Sequence, residues 1–337
     1  MRKLSFPDKI IFILNSIAAL GLCVAFVVPF LSPKLFAQIA VLGLLTAPLI
    51  LVNIAFSLYW LVKLKRQFLL SLFVLGLGIH HLSALFGFSE KQVFLNNDFK
   101  IMSYNVRLFN AYKWSPKDSL NYKIYDFIEE KAPDIIAIQE FYPDKKNRIH
   151  YPYQYLKKNP RSKAYQALYS NYRIINKGSL DFQDSKNNGI FIDVLKNQDT
   201  LRIYNVHLQS FGIDKNAENF GEKNSERLLK KLSVFFKKQA LQTSLVEQHA
   251  QTCQYKTIIT GDFNNNAFSW IYRKLATHKK DAFILGGSGF GKTFDYFFPI
   301  RIDFILVDES ITVNNFKSYP VKYSDHYPIM ARINIAH

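Results

Sequence analysis

Three long apolar runs open the chain, and short alternating ones fill the rest. Ile10 to Leu31, Leu35 to Val62 and Phe68 to Phe88 are each at least as long as the roughly 20 residues needed to cross a bilayer. They predict transmembrane helices over 10–31, 35–62 and 68–88 in an N-terminal membrane region of residues 1–91, with His80 and His81 interrupting the third. A cleaved signal peptide accounts poorly for three such runs. Neighbouring residues on a helix do not share a face, so the two histidines read as an outer-interface pair rather than as one ligand set.

From Asp98 the texture changes to short apolar segments divided by polar ones. Lys100–Arg107, Asp134–Glu140, Tyr165–Ser170, Gly189–Leu195, Leu201–Leu208, Thr257–Asp262 and Arg301–Val307 read as strands. Helical spacing covers Tyr122–Lys131, stopped by Pro133, then a long amphipathic stretch over Ser225–His249 and a shorter one near Ser269–Ala276. Gln209–Glu222, polar and glycine-containing, reads as a mobile loop. Residues 98–337 thus form an α/β unit behind the membrane region.

Charge sharpens this picture. The formal net charge is +17, with eight Lys/Arg against two Asp/Glu in residues 1–97 and 35 against 24 after them. Such a balance favours an anionic partner: a phosphodiester, a polyphosphate or a lipid head group. Arg2, Lys3 and Lys9 precede the first apolar run, Lys63, Lys65 and Arg66 follow the second, and only Lys34 lies between them. The excess of positive charge on cytoplasmic segments then places everything after about Gly87 outside the cytoplasm of an inner-membrane protein. Two cysteines, Cys23 and Cys253, allow neither a disulfide framework nor a cysteine metal cluster.

Several strands end in groups that can carry chemistry: Asn105, Glu140, Asn205 with His207, Asp262 with Asn264, and Asp303, while Asp325-His326 follows in a loop. Positions i and i+2 of a strand share a face, so Asp262 and Asn264 can act together, as can Asn205 and His207. Each ending alone is equally a turn or a solvated strand end. Asp303, set among Ile302, Phe304 and Ile305, needs a partner if ionised, and His326 is the candidate. A rival motif is Gly286-Gly287-Ser288-Gly289-Phe290-Gly291-Lys292-Thr293, which fits the GxxxxGK[ST] phosphate loop. That loop needs a helix after it, whereas Phe294-Asp295-Tyr296-Phe297-Phe298-Pro299 is aromatic and stopped by proline.

Taken together, Ser103-Tyr104-Asn105-Val106-Arg107, Gln139-Glu140, Asn205-Val206-His207-Leu208, Gly261-Asp262-Phe263-Asn264, Arg301-Ile302-Asp303 and Ser324-Asp325-His326 resemble the endonuclease/exonuclease/phosphatase superfamily, in its order, across about residues 98–335. Its members include DNase I, apurinic endonucleases, neutral sphingomyelinases and inositol polyphosphate 5-phosphatases. The resemblance implies a four-layer sandwich of two packed, mixed and mostly antiparallel sheets flanked by helices. It implies Mg²⁺ (or Mn²⁺) on Glu140, with Asn105 and Asp325 as ligands or close neighbours. Asp262 would position or activate water, His326 held by Asp303 would orient it or stabilise charge, and Asn264, Asn205 and His207 would serve the phosphoryl oxygens and leaving group. The implied function is a membrane-embedded, metal-dependent phosphoesterase acting on nucleic acid or a lipid head group, with no protein partner. The alternatives are an inactive, tethered binding module of the same fold and, further off, a nucleotide hydrolase using Gly286–Thr293. Arg107 and Asn171 depart from the acid and the basic residue that some members carry there.

Overall fold

A computed structural model describes residues 4–88, 90–116, 119–143, 147–211 and 222–335. The N-terminal helices are α1 (Phe6–Val27), a 3-10 turn (Val28–Phe30), α2 (Pro33–Phe36), a second 3-10 turn (Ile39–Val41), α3 (Leu42–Val62), α4 (Phe68–Leu77) and α5 (Ile79–Leu85). The sandwich follows as β1 (Gly87–Phe88), β2 (Phe99–Asn105), α6 (Leu120–Lys131), β3 (Ile135–Phe141), β4 (Tyr153–Lys158), β5 (Tyr165–Ser170), β6 (Arg173–Ser179), β7 (Gly189–Lys196) and β8 (Asp199–His207). It is completed by α7 (Glu222–Gln251), β9 (Lys256–Asp262), α8 (Trp270–Leu275), β10 (Lys279–Asp281), α9 (Ala282–Gly286), β11 (Ser288–Gly289), β12 (Asp303–Asp308), β13 (Ile311–Ser318) and β14 (Ile329–Ile335).

Two of the three expected spans are continuous: Phe6–Phe30 and Ile39–Val62 are long and apolar enough to cross a membrane. The third is not one helix. It bends by 76° between α4 and α5, so only the pair together is long enough to make a span. Gly78 sits at the break, where the Phe26 ring fills the space a Cβ would need, and His81 stacks on the same ring at 4.9 Å. His80 and His81 thus lie on the bent segment, past α4.

The bundle is apolar outside, and a small polar cluster is buried among the apolar side chains inside. Phe6, Ile17, Leu20, Leu58, Val62 and Phe73 are exposed, whereas Asn15, Asn53 and Ser71 are fully buried. Asn15 Nδ2 donates to Ser71 Oγ (2.6 Å), Ser71 donates to Asn53 Oδ1 (3.0 Å), and the Trp60 indole N–H donates to Asn15 Oδ1 (3.0 Å). Interhelical bonds of this kind hold helices together where no hydrophobic drive exists between them.

The sandwich consists of two six-stranded sheets with strand orders β13-β14-β2-β3-β5-β4 and β10-β12-β9-β8-β7-β6. All neighbours are antiparallel except β2/β3 and β8/β9. Those two parallel pairs are joined by crossovers that carry α6 and α7, as parallel strands require. Their inward side chains, among them Ile101, Ile135, Ile190, Ile203, Ile258 and Ile305, form the core between the sheets. Parallel strands end on the same edge. With the pairs central in both sheets, the C-terminal ends of β2, β3, β8 and β9 meet at one rim, where antiparallel β12 and β14 begin.

Candidate active site

Asn105 closes β2, His207 closes β8, Asp262 closes β9, and Asp303 opens β12 opposite Asp262 in the ladder. Two backbone irregularities aim these groups. Glu140 lies in a β-bulge between β3 and β5 with a left-handed backbone (φ 51°), which turns its side chain toward the rim. Gly261 has φ 135°, and a Cβ there would stand 1.9 Å from the Val206 carbonyl oxygen, so the residue before Asp262 must be glycine.

Asp262 is the hub. Its Oδ2 accepts from Asn105 Nδ2 (3.0 Å) and Asn264 Nδ2 (3.2 Å), and its Oδ1 from the Asn264 backbone N–H (2.8 Å). The Nε2 atoms of His207 and His326 stand 3.5 and 3.6 Å from the same Oδ2. On its other side, His326 Nδ1 lies 2.9 Å from Asp303 Oδ2. Burial raises Asp262 to about 6, although the nearby histidines pull it down. Burial would also discharge His326, but the charges of Asp303 and Asp262 outweigh it and raise the ring to about 10. His207 is lowered by burial. At neutral pH the centre therefore holds one imidazolium, one neutral imidazole and an ionised Asp262.

Glu140 is half-exposed. Asn105 Nδ2 lies 3.4 Å from its Oε1 and His207 Nε2 3.9 Å, both long. Burial pushes its carboxyl above the usual range. An ionised Glu140 is thus under-compensated, as a carboxylate awaiting a hard cation would be. Asp325, expected beside it, is near enough for its charge to act on both Glu140 and His326, yet it is paired with Arg107 (Nη1–Oδ2 3.0 Å). The Arg107 guanidinium in turn lies over the Trp114 ring at 4.5 Å. Asn105 Oδ1 accepts the Arg107 backbone N–H. Of the three expected ligands, Glu140 is the one whose carboxylate lacks a close partner. Asp262, Asp303 and His326 also lie close enough together to hold an ion, but their atoms already satisfy one another.

Asn205 requires a correction. Although it shares a strand face with His207, its side chain is spent between the sheets. Nδ2 donates to the carbonyls of Ile138 and Ala167 (both 2.9 Å), and Oδ1 accepts from Gln139 Nε2 (2.8 Å). It is fully buried, leaving nothing for a phosphoryl oxygen. Asn205→Ala should therefore lower stability by about 2–4 kcal/mol, because the Ile138 and Ala167 carbonyls lose a buried donor and Gln139 one of its acceptors. Denaturation midpoints would show this, with the folded fraction keeping its turnover; a loss of turnover at unchanged stability would return Asn205 to catalysis.

Asn171 also falls outside the site. Its N–H donates to the Asp134 carbonyl, beside the Ile135–Ser170 pairing at the end of β3 opposite Glu140. Gly286–Thr293 forms no phosphate loop: it runs from the end of α9 through β11, with no helix after it before β12. Lys292 Nζ bonds to the Tyr296 carbonyl. Thr293 has a different task, its Oγ1 accepting the backbone N–H groups of Ile302 and Asp303 (3.0 and 3.1 Å). That bond pair fixes the start of β12, while the Phe294 ring packs edge-on against His326. Gln239 of α7 braces the other flank, its Nε2 donating to the carbonyls of Phe263 and Asn264. Neither Thr293 nor Gln239 stands out in the sequence; both act from distant elements. The expected loop 209–222 lies mostly outside the described residues.

Two packed mixed sheets with acids, amides and imidazoles gathered at one rim define a DNase I-like sandwich. A model of the Endonuclease/Exonuclease/phosphatase family matches residues 102–326, and the chain belongs to that family. A domain of unknown function (DUF8431) matches residues 8–85. No curated protein matches. Among solved structures, the human Nocturnin catalytic domain with bound sulfate is 15% identical with a TM-score of 0.55, covering 72% of this chain and 96% of its own. D. rerio TDP2 complexed with a single-strand DNA product is 15% identical with a TM-score of 0.54, covering 71% of this chain and all of its own. A Bacteroides thetaiotaomicron mannosyl-6-phosphatase is 18% identical with a TM-score of 0.50, covering 70% and 99%. At such identities the likeness is one of fold.

Proposed function

We propose that the protein is a membrane-anchored phosphoesterase, dependent on Mg²⁺ or Mn²⁺, that hydrolyses a phosphodiester or phosphomonoester with water. The observation that carries this reading is the Asp262 hub, where one buried carboxylate faces the Nε2 atoms of two imidazoles beside an under-compensated Glu140. Glu140 would hold the divalent ion, with the charge of Asp325 behind it. Bound there, the ion supplies charge neutralisation for the phosphoryl oxygens.

Asp262 takes the proton from the attacking water, since its carboxylate is ionised near neutral pH and fixed by Asn105 and Asn264. His326 is already protonated and is therefore a poor base; held by Asp303, it stabilises the negative charge that develops on phosphorus. His207, neutral and turned toward the same carboxylate, donates to a phosphoryl or leaving oxygen. Asn264 positions Asp262 through two of its own bonds.

The apolar exterior of the N-terminal bundle and its buried Asn15–Ser71–Asn53 cluster support embedding in a bilayer. Asp8 binds Lys63, so the start of α1 and the end of α3 lie together. Lys9, Lys65 and Arg66 are close by in sequence, which gathers positive charge at the end away from the sandwich. This favours a cytoplasmic charged end and an outward-facing catalytic unit. The full chain in detergent with Mg²⁺ should hydrolyse bis(p-nitrophenyl) phosphate or plasmid DNA, and EDTA should stop it. Turnover that survives both EDTA and Asp262→Ala would sink the reading.

A further inference from the structure

The loop that carries Asn264 after Asp262 packs directly against the N-terminal bundle. Asn266 Nδ2 donates to the Gly43 carbonyl at the start of α3 (3.0 Å). A Cβ on Gly43 would stand 3.3 Å from the Phe268 carbonyl oxygen, so the two backbones touch. The Phe268 ring meets His81 on the bent segment (5.8 Å). A second active-site exit is anchored in the same way, with Phe211 stacked on Phe235 in a cluster shared with Ala37 and Ala40 of the inter-span segment.

Lengths place this contact in the bilayer. Helix α3 has 21 residues, or about 31 Å at about 1.5 Å per residue, which matches a hydrocarbon core of about 30 Å. Gly43, four residues into the Ile39–Val62 span, therefore lies near the hydrocarbon edge. Asn264 is two residues from Asn266, at most about 7 Å along the chain. The head-group layer beyond the core is about 5–8 Å thick on each side. The amide that braces Asp262 is thus held within reach of the lipid head-group layer.

The surrounding surface agrees. Between the first two spans Leu35 is 79% exposed and Phe30 60%, and Arg273 of α8 lies with its guanidinium 4.2 Å from the Phe30 ring. Exposed apolar residues beside an arginine suit a lipid interface, where the guanidinium can reach head groups while its stem lies on apolar surface.

We infer that the substrate is a phosphoester in the protein's own membrane, a phospholipid head group presented in the bilayer plane beside the Asp262–Phe268 loop. This rests on the phosphoesterase reading above. In the reaction one P–O ester bond of the lipid breaks; the hydroxyl of water ends on phosphorus and its proton ends on the leaving alkoxide. A soluble polyanion gives no reason to fix the centre beside the head-group layer.

Surface dilution tests it. The full chain is reconstituted with Mg²⁺ in vesicles of phosphatidylethanolamine and phosphatidylglycerol, then in vesicles where most phospholipid is replaced by a phosphate-free galactolipid at constant bulk phospholipid. The expected result is release of a water-soluble head-group product at a rate that falls in proportion to the phospholipid mole fraction, about tenfold for a tenfold dilution. Hydrolysis of bis(p-nitrophenyl) phosphate by the same vesicles should not change. Hydrolysis of the soluble diester or plasmid DNA without phospholipid cleavage, or with cleavage indifferent to dilution, overturns the inference and leaves the phosphoesterase reading standing. No hydrolysis of any of the three overturns both.

Discussion

Asp262→Asn should lower turnover by about 10³–10⁴-fold, about 4–5 kcal/mol of transition-state stabilisation, because the amide cannot take the proton of water. The same change should not destabilise the fold when metal is chelated with EDTA. The folded-state value of Asp262 is raised from 3.8 to about 6. A carboxyl raised on folding favours the native state while protonated, below the unfolded value, and loses that contribution as pH rises through the folded one. The asparagine never ionises, so the variant's denaturation midpoint at about pH 8 should equal or exceed the parent's, with the advantage gone near pH 4. His326→Ala should cost about 10²–10³-fold by removing the imidazolium. Asp303→Asn should cost less, since the ring stays in place and only its cationic form is weakened. A chelated variant that is both inactive and clearly less stable at pH 8 would make Asp262 a structural residue.

The strands and the site were legible in the sequence to different depths. Endings such as Asn105, Glu140, His207, Asp262 and Asp303 could be read because strand periodicity and a chemical side chain coincide there. Asn205 misled for the same reason. The period-two rule gives the face of a strand, but between two packed sheets that face is core for most of its length and site only at the rim. His207, two residues nearer the rim, meets Asp262, whereas Asn205 meets the backbone of the other sheet. The turn after β5 was equally hidden: Asn171, compared in the sequence with a basic residue of the family, lies beside the Ile135–Ser170 pair at the end of β3 opposite Glu140. The third apolar run met the composition test for a span, but composition is blind to the Phe26 ring that takes the place of a side chain at Gly78. Arg301, two residues before Asp303, shows what no local pattern reports: its guanidinium reaches Asp281 (2.7 Å) and the Ala84 carbonyl of α5 (3.3 Å), tying the bent helix to the strand that holds the His326 partner.

Glu140→Gln should remove metal-supported turnover, a loss of about 10³-fold, because among the described residues it deletes the partly exposed carboxylate at the rim that lacks a close cationic partner. Its pH behaviour separates metal binding from acid–base catalysis. Burial raises the Glu140 carboxyl above its ordinary value in the metal-free protein. A proton and the divalent ion therefore compete for it, and each ion bound near or below that raised value displaces a proton. The Mg²⁺ concentration for half-maximal turnover should rise as pH is lowered from about 8 to about 5, approaching about tenfold per pH unit once Glu140 is mostly protonated. In Glu140→Gln that steepness should disappear, leaving a weak, nearly flat Mg²⁺ dependence set by the remaining charges. Titration of Mg²⁺ against turnover at several pH values measures this in both proteins. If the variant binds Mg²⁺ as tightly and as steeply with pH as the parent, the ion is held by the Asp262–Asp303–His326 cluster, and the charge assignment of His326 falls with it.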